Sequence, residues 1–126
     1  MGTEPWRVAF DEGRFVDAVV ELVRARDHVS FVEIQNLFKG AGMETRGNVI
    51  MLLERNVVMW AGVSDEFADI LDAVRLEQPR RVWPHPSSPL VYLIDGGLLK
   101  FPIAKRIPKA GYKEPHWLPM TLSPHP

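Results

Sequence analysis

The sequence predicts an α+β fold with three N-terminal helices, an extra fourth helix, a small antiparallel sheet and a proline-rich C-terminal tail. Three observations predict it: apolar residues at helical spacing in the first half, β-branched runs further on, and prolines toward the end. The length of 126 residues suits one domain. We assign residues 1–104 to this domain and residues 105–126 to a basic, proline-rich tail that packs on it or extends from it.

The first two predicted helices are amphipathic and lie on either side of a short link. Apolar residues recur at spacings of three and four over residues 11–26, with Asp11 as the helix N-cap. Ser30 and Glu33 form an S-x-x-E capping box at the start of the second helix, in which each side chain bonds the backbone amide of the other residue. Glycines within residues 39–42 are typical of a helix C-terminus and turn.

A third helix and a short strand are predicted next. Glu44 or Thr45 caps the helix, which carries an apolar stripe and ends at residues 55–56. Residues 57–61 are apolar and rich in β-branched side chains, so that they suit a short buried strand. The middle of the chain is thus predicted to change from helix to strand at Asn56, which suits a left-handed stop.

A fourth helix precedes the predicted sheet. Ser64 caps this helix and Pro79 ends it. The strands predicted beyond it cover residues 81–83, 90–94 and 98–103. Residues 84–89 contain three prolines, which lack ladder donors, and are therefore predicted to form a loop. Residues 95–97, Asp-Gly-Gly, are predicted to connect the last two strands as a hairpin turn.

The tail is predicted to lack regular structure from Lys105 onward, because five prolines interrupt it. Its apolar residues have enough surface to pin it against the body of the protein. These residues are Tyr112, Trp117, Leu118 and Met120.

The two parts of the chain carry opposite net charges, although the net charge of the whole chain is only −1. Residues 1–74 carry 7 Lys and Arg against 13 Asp and Glu, whereas residues 75–126 carry 8 against 3. A basic second half suits contacts with phosphate or with an acidic partner, and an acidic first half repels DNA unless it faces away. The alternative is a solvated surface of mixed sign.

The order of segments resembles a winged helix-turn-helix domain over roughly residues 11–103: three helices, with a glycine-bearing turn before the third, and then β-structure. In that family the third helix enters the major groove and the wing contacts the backbone or minor groove. The resemblance therefore implies that Thr45, Arg46 and Asn48 contact DNA bases or phosphate. The alternative is that Thr45 only caps the helix and the other two are solvated. The fourth helix departs from the family pattern.

The sequence thus predicts a small regulatory protein that binds double-stranded DNA, as a monomer or a homodimer. The candidate contacts with the DNA backbone are basic residues beside the predicted turn and in the second half of the chain. They are Lys39, Arg80, Arg81, Lys100, Lys105, Arg106, Lys109 and Lys113. The alternative function is a non-enzymatic protein–protein interaction module without DNA binding, which the acidic first half favours.

Enzymatic function finds little support. The sequence contains no P-loop, dinucleotide fingerprint, H-E-x-x-H or G-x-S-x-G motif, and without cysteine it has no thiol nucleophile or cysteine metal site. Its four histidines are scattered, with no pair at metal-binding spacing on one helix. We therefore expect no enzymatic activity, cofactor or metal. No apolar run approaches the roughly 20 residues that span a bilayer, which predicts a cytoplasmic protein with no membrane partner.

Overall fold

Helices and strands alternate through residues 3–125, which the computed structural model describes. The helices in this range are α1 (Pro5–Asp11), α2 (Phe15–Arg26), α3 (Phe31–Gly40), α4 (Asp65–Leu76) and α5 (Pro89–Asp95). The strands are β1 (Val29–Ser30), β2 (Arg46–Glu54), β3 (Val57–Val63), β4 (Val82–Pro86), β5 (His116–Trp117) and β6 (Met120–Pro124). The predicted α+β class is confirmed, whereas the predicted numbers of helices and strands are wrong.

Two small sheets replace the single predicted one. In the first, β6 lies between β1 and β4 and is antiparallel to both. In the second, β3 lies between β2, to which it is antiparallel, and β5, to which it is parallel. Each sheet therefore contains one strand from the tail. The expectation that the tail lacks regular structure is wrong for β5 and β6.

The core joins the N-terminal helices to both sheets. Helix α2 packs against α1, α4 and β6. Phe38 of α3 contacts the rings of Trp6, Phe10 and Phe67 at centroid distances of 5.0 to 6.2 Å. Trp117 from the tail is 1% exposed and Leu122 is 2% exposed. Of the four tail residues predicted to pin the tail against the body, Trp117, Leu118 and Met120 are buried.

Two of the predicted helix caps are present. The Ser30 hydroxyl accepts a bond from the Glu33 amide at 3.1 Å, and Ser64 does the same for Phe67. The Glu33 carboxylate accepts from the Arg26 guanidinium at 2.8 Å rather than closing the capping box. The starts of α3 and α4 are thus confirmed, and α3 ends at Gly40 as predicted.

The predicted N-cap at Asp11 is wrong, because Asp11 is the last residue of a separate helix, α1. Pro5 occupies the first turn of α1, a position where the missing N–H costs nothing. The chain turns at residues 12–13 before α2 begins. Helix α2 begins at Phe15, the first apolar residue of the predicted pattern.

The predicted third helix is also wrong, because residues 46–54 form strand β2. A two-residue turn at Arg55 and Asn56 joins it to β3, and Asn56 takes a φ of +54°. The continuous apolar run at residues 49–53 fits either a buried helix or a strand, and pairing with β3 decides the outcome.

Three further predictions after α4 are wrong. Residues 90–94 lie in helix α5, which Ser88 caps by accepting from the Leu90 amide and which Pro89 starts. Gly96 ends α5 in the left-handed region, with φ +101°, instead of forming a hairpin turn. The predicted strand at residues 98–103 is reduced to one bridge between Ile103 and Trp117.

The predicted loop at residues 84–89 is wrong for its first half. Pro84, His85 and Pro86 belong to strand β4 and pair with β6. Prolines are tolerated here because β4 lies at the edge of its sheet, where N–H donors on the outer side have no strand to bond.

Candidate nucleic-acid interface

The turn between β2 and β3 is joined to the loop at residues 104–114 by one backbone hydrogen bond and by two hydrogen bonds from the Asn56 side chain. The Tyr112 amide donates to the Arg55 carbonyl at 3.1 Å, and the Asn56 side chain donates to the carbonyls of Tyr112 and Lys113. The Tyr112 hydroxyl donates to the Arg106 carbonyl. These bonds hold two segments distant in sequence as one surface.

Gly111 permits the close approach of these two segments. Its φ is +71°, and a Cβ at this position would overlap the Arg55 carbonyl oxygen. Only glycine fits both the conformation and the space. The loop therefore lies directly on the hairpin turn.

Five basic residues lie on these two joined segments, Arg55 on the turn and Lys105, Arg106, Lys109 and Lys113 on the loop, and we call this group the basic tip. All five are exposed, and in the described part of the chain none forms an ion pair. The acidic residues adjoining them in sequence are Glu54 and Glu114. The basic tip therefore carries an excess of positive charge that internal pairing does not neutralise.

Arginines on the helices behave differently. Arg7 pairs with Asp11 at 2.9 Å, Arg24 with Glu21 at 3.3 Å and Arg26 with Glu33 at 2.8 Å. Arg14 pairs with both Glu12 and Asp17. Acidic residues of the first half thus neutralise these four arginines, whereas Lys39, Arg46 and Arg55 of the same half form no ion pair within the described residues.

An aromatic pair adjoins the basic tip. The rings of Tyr112 and His116 are stacked, with centroids 3.8 Å apart and planes inclined by 15°. Both side chains are partly exposed. Surfaces that bind single-stranded nucleic acid commonly combine cations with flat rings, because unpaired bases stack on such rings.

Of the residues predicted from sequence, Lys105, Arg106, Lys109 and Lys113 lie in the basic tip. Arg46 and Asn48 are exposed on β2, not on a helix, and Thr45 is fully buried before that strand. Their predicted arrangement on a recognition helix is therefore wrong. Arg55 was not among the predicted contacts, although the turn at its position contains Asn56, a residue type that tolerates the left-handed conformation.

Lys39, Thr45 and Arg46 lie together on a cleft at the opposite end of β2 from the basic tip. The cleft also involves residues 96–99, and the exposed Lys100 follows them directly. The structure thus separates the predicted contacts into groups at the two ends of one strand.

Arg80 and Arg81 both contact other side chains of the protein. Arg81 donates to Glu77 at 2.6 Å and to Asp17 at 2.9 Å. Hydrogen bonds from Arg81 lower the pKa of both carboxyl groups, and the bond to Glu77 is the largest cause that raises the pKa of Arg81. The Arg80 guanidinium lies 4.7 Å from the centre of the Trp83 ring. Neither residue belongs to the basic tip.

Metal-binding clusters and membrane-spanning helices do not occur in the described part of the chain. Residues 3–125 contain no group of three His, Asp or Glu side chains that could hold a metal ion. In the same range, no helix is long and apolar enough to cross a membrane.

No family model matches this chain, and searches of curated proteins and of solved structures found no match.

Proposed function

We propose that the protein binds double-stranded DNA through the phosphate backbone, with the basic tip as the contact surface. The observation that supports this function is the gathering of five exposed cations without acidic partners in the described residues. Phosphate contacts from Lys and Arg supply most of the affinity in non-specific DNA binding. The ion-paired arginines of the helices contribute little to it.

The β2–β3 hairpin takes the part of a wing in this proposal. The order of α2, β1, α3 and the hairpin is similar to that of a winged helix-turn-helix domain, and the hairpin turn carries Arg55. In contrast to that family, no helix lies between α3 and β2, and β1 pairs with β6. We therefore propose contacts between the hairpin and the DNA backbone, and no reading of the major groove by a third helix.

Removing four cations of the basic tip tests this function. In the variant Lys105→Ala/Arg106→Ala/Lys109→Ala/Lys113→Ala, we expect DNA binding to weaken strongly. The slope of log affinity against log salt should become shallower by about 0.9 for each phosphate that the variant no longer neutralises. Fluorescence anisotropy of a labelled random duplex, titrated at about 50 and 200 mM salt, measures both effects.

The matched control removes four arginines from the helices: Arg7→Ala/Arg14→Ala/Arg24→Ala/Arg26→Ala. Both variants change the net charge equally, so that a difference between them reports the location of the contact. We expect the control to retain affinity within a few-fold. Equal losses in the two variants, or no binding by the wild type at the lower salt, would exclude the basic tip as a DNA-binding surface.

A second candidate function, protein interaction, is favoured by the outer face of α5. Leu90, Leu93 and Ile94 are 63%, 56% and 83% exposed, and their spacing places them on one side of the helix. The opposite side buries Tyr92 completely. An apolar face left open to solvent is typical of an interaction surface. We propose that a second copy of the chain covers it.

Sedimentation velocity tests this self-association. At about 100 µM, a concentration that populates dimers of micromolar affinity, we expect the wild type to sediment as a dimer and Ile94→Lys as a monomer. The control, Leu76→Lys, changes another exposed apolar residue, at the end of α4. A monomeric wild type would exclude this second candidate.

A further inference from the structure

A second positively charged site lies beside α3, away from the basic tip. A cleft of about 380 Å³ is formed by α3, the start of β2, the end of β3 and residues 96–99. We call it the α3 cleft. Its volume falls within the range of small-molecule sites. The nine residues of β2 span about 30 Å and separate it from the hairpin turn.

Both charged residues that line the α3 cleft are cations. Lys39 comes from the last turn of α3 and Arg46 from the first position of β2, and both are exposed. Among the described residues, neither forms an ion pair with an acidic side chain. The Glu44 carboxylate accepts from the Arg46 backbone amide at 2.9 Å but does not line the cleft. The cleft therefore favours a negatively charged occupant.

The amide side chains on the wall contribute hydrogen-bond donors. Gln35 accepts from the Trp60 indole at 2.9 Å through its oxygen, and its NH₂ group donates one bond to the Thr45 carbonyl at 3.5 Å and has a second hydrogen for a ligand. The Asn36 NH₂ group donates one bond to the Asp95 carbonyl at 3.1 Å and has a second hydrogen. Donors beside cations match the acceptor oxygens of an anion.

Thr45 supplies an independent observation. Its Oγ1 is buried and has no hydrogen-bond partner in the described structure, and the residue lies on the cleft wall. A buried hydroxyl without a partner is unfavourable, and an acceptor oxygen of a ligand would satisfy it. Because Thr45 has no exposed surface, this bond requires a small movement of the wall on binding. Lys39 and Arg46 therefore provide the primary recognition.

We propose that the α3 cleft binds a small phosphorylated molecule. A phosphate monoester carries a charge of about −1.5 to −2 at neutral pH, which Lys39 and Arg46 together balance. The apolar side chains of Val32, Leu98 and Leu99 line the same cleft and can contact an organic group attached to the phosphate. A DNA phosphate has the same anionic chemistry, so that the experiment must separate the two sources.

Amide chemical-shift mapping by NMR, with adenosine monophosphate and inorganic pyrophosphate as probes, tests the proposal. We expect shifts at residues 39, 45–47 and 96–99. Lys39→Ala/Arg46→Ala should weaken binding at least 10-fold, whereas the control Lys105→Ala/Arg106→Ala should change it less than about 2-fold. If the alanine variant does not keep the wild-type spectrum, Lys39→Gln/Arg46→Gln repeats the test with longer side chains.

A short DNA duplex is titrated in parallel to separate the sources of phosphate. Shifts at the cleft with the small probes, abolished in the Lys39/Arg46 variant, would support the proposal. Three results would overturn it: no shifts up to about 10 mM, a range that detects millimolar affinity; shifts confined to residues 105–113; or cleft shifts with the duplex alone. The last result would make the cleft part of the nucleic-acid interface.

Discussion

Replacing Trp117 by alanine is expected to lower the free energy of unfolding by about 3–5 kcal/mol. Trp117 is 1% exposed and lies on β5, beside the central strand of its sheet. Its indole N–H donates to the Met59 carbonyl at 3.3 Å, and its ring lies 5.1 Å from Tyr92 and 5.9 Å from Trp60 between centroids. Alanine would remove these contacts and leave a cavity between the tail and the hairpin.

Trp83→Ala is the matched control, because it removes the same side chain from an edge strand where 42% of the surface is exposed. We expect a loss of about 1 kcal/mol there. Urea denaturation followed by far-UV circular dichroism measures both variants independently of tryptophan fluorescence. Equal destabilisation of the two variants would contradict the assignment of the tail to the core.

Local signals in the sequence predict the beginnings of several elements correctly. Ser30 and Ser64 are N-caps because a short hydroxyl side chain accepts the free amides of a first helical turn, and this chemistry acts over three residues. The strand beginning at Val57 is predictable for a similar reason, since its β-branched residues favour extended backbone. Features determined within a few residues are thus accessible from sequence.

Features determined by distant pairing are less accessible. Residues 49–53 are apolar throughout, and only their pairing with β3 makes them a strand. Strand β6 lies between β1 and β4, and more than 30 residues of chain separate it from either one. The local sequence of β6, which contains proline, does not predict this central position. At Ser88 and Pro89, in contrast, the sequence carries a signal for the start of α5, which competes with the strand preference of the apolar residues that follow.

The candidate interface is predictable in composition but not in arrangement. The excess of basic residues beyond residue 75 indicates a surface for phosphate, and Lys105 and Arg106 belong to it. Arg55 belongs to the basic tip because hydrogen bonds from residues 56 and 112 join its turn to the loop, and no local sequence pattern predicts these bonds. The pairing of Arg81 with Glu77 and Asp17, which removes it from the interface, likewise depends on tertiary packing.

Replacing Tyr92 by phenylalanine is expected to lower the free energy of unfolding by about 2–4 kcal/mol, although it removes only one oxygen. That hydroxyl donates to the Met120 carbonyl at 2.6 Å and accepts from the Phe31 amide at 3.2 Å. It therefore connects the start of α3 to β6 within the core. Phenylalanine would leave two buried backbone groups without this partner, each costing about 1–3 kcal/mol.

Tyr112→Phe is the control for Tyr92→Phe, because its hydroxyl bonds the Arg106 carbonyl at a partly exposed position, where water can replace it. We expect a change below about 1 kcal/mol.

Burial raises the pKa of Tyr92, so that the folded state favours the protonated phenol. Its contribution is complete below the usual pKa of about 10 and declines as the pH rises above it. Urea denaturation at neutral and alkaline pH should show a smaller alkaline loss in Tyr92→Phe than in the wild type, and equal losses would contradict a buried, neutral Tyr92.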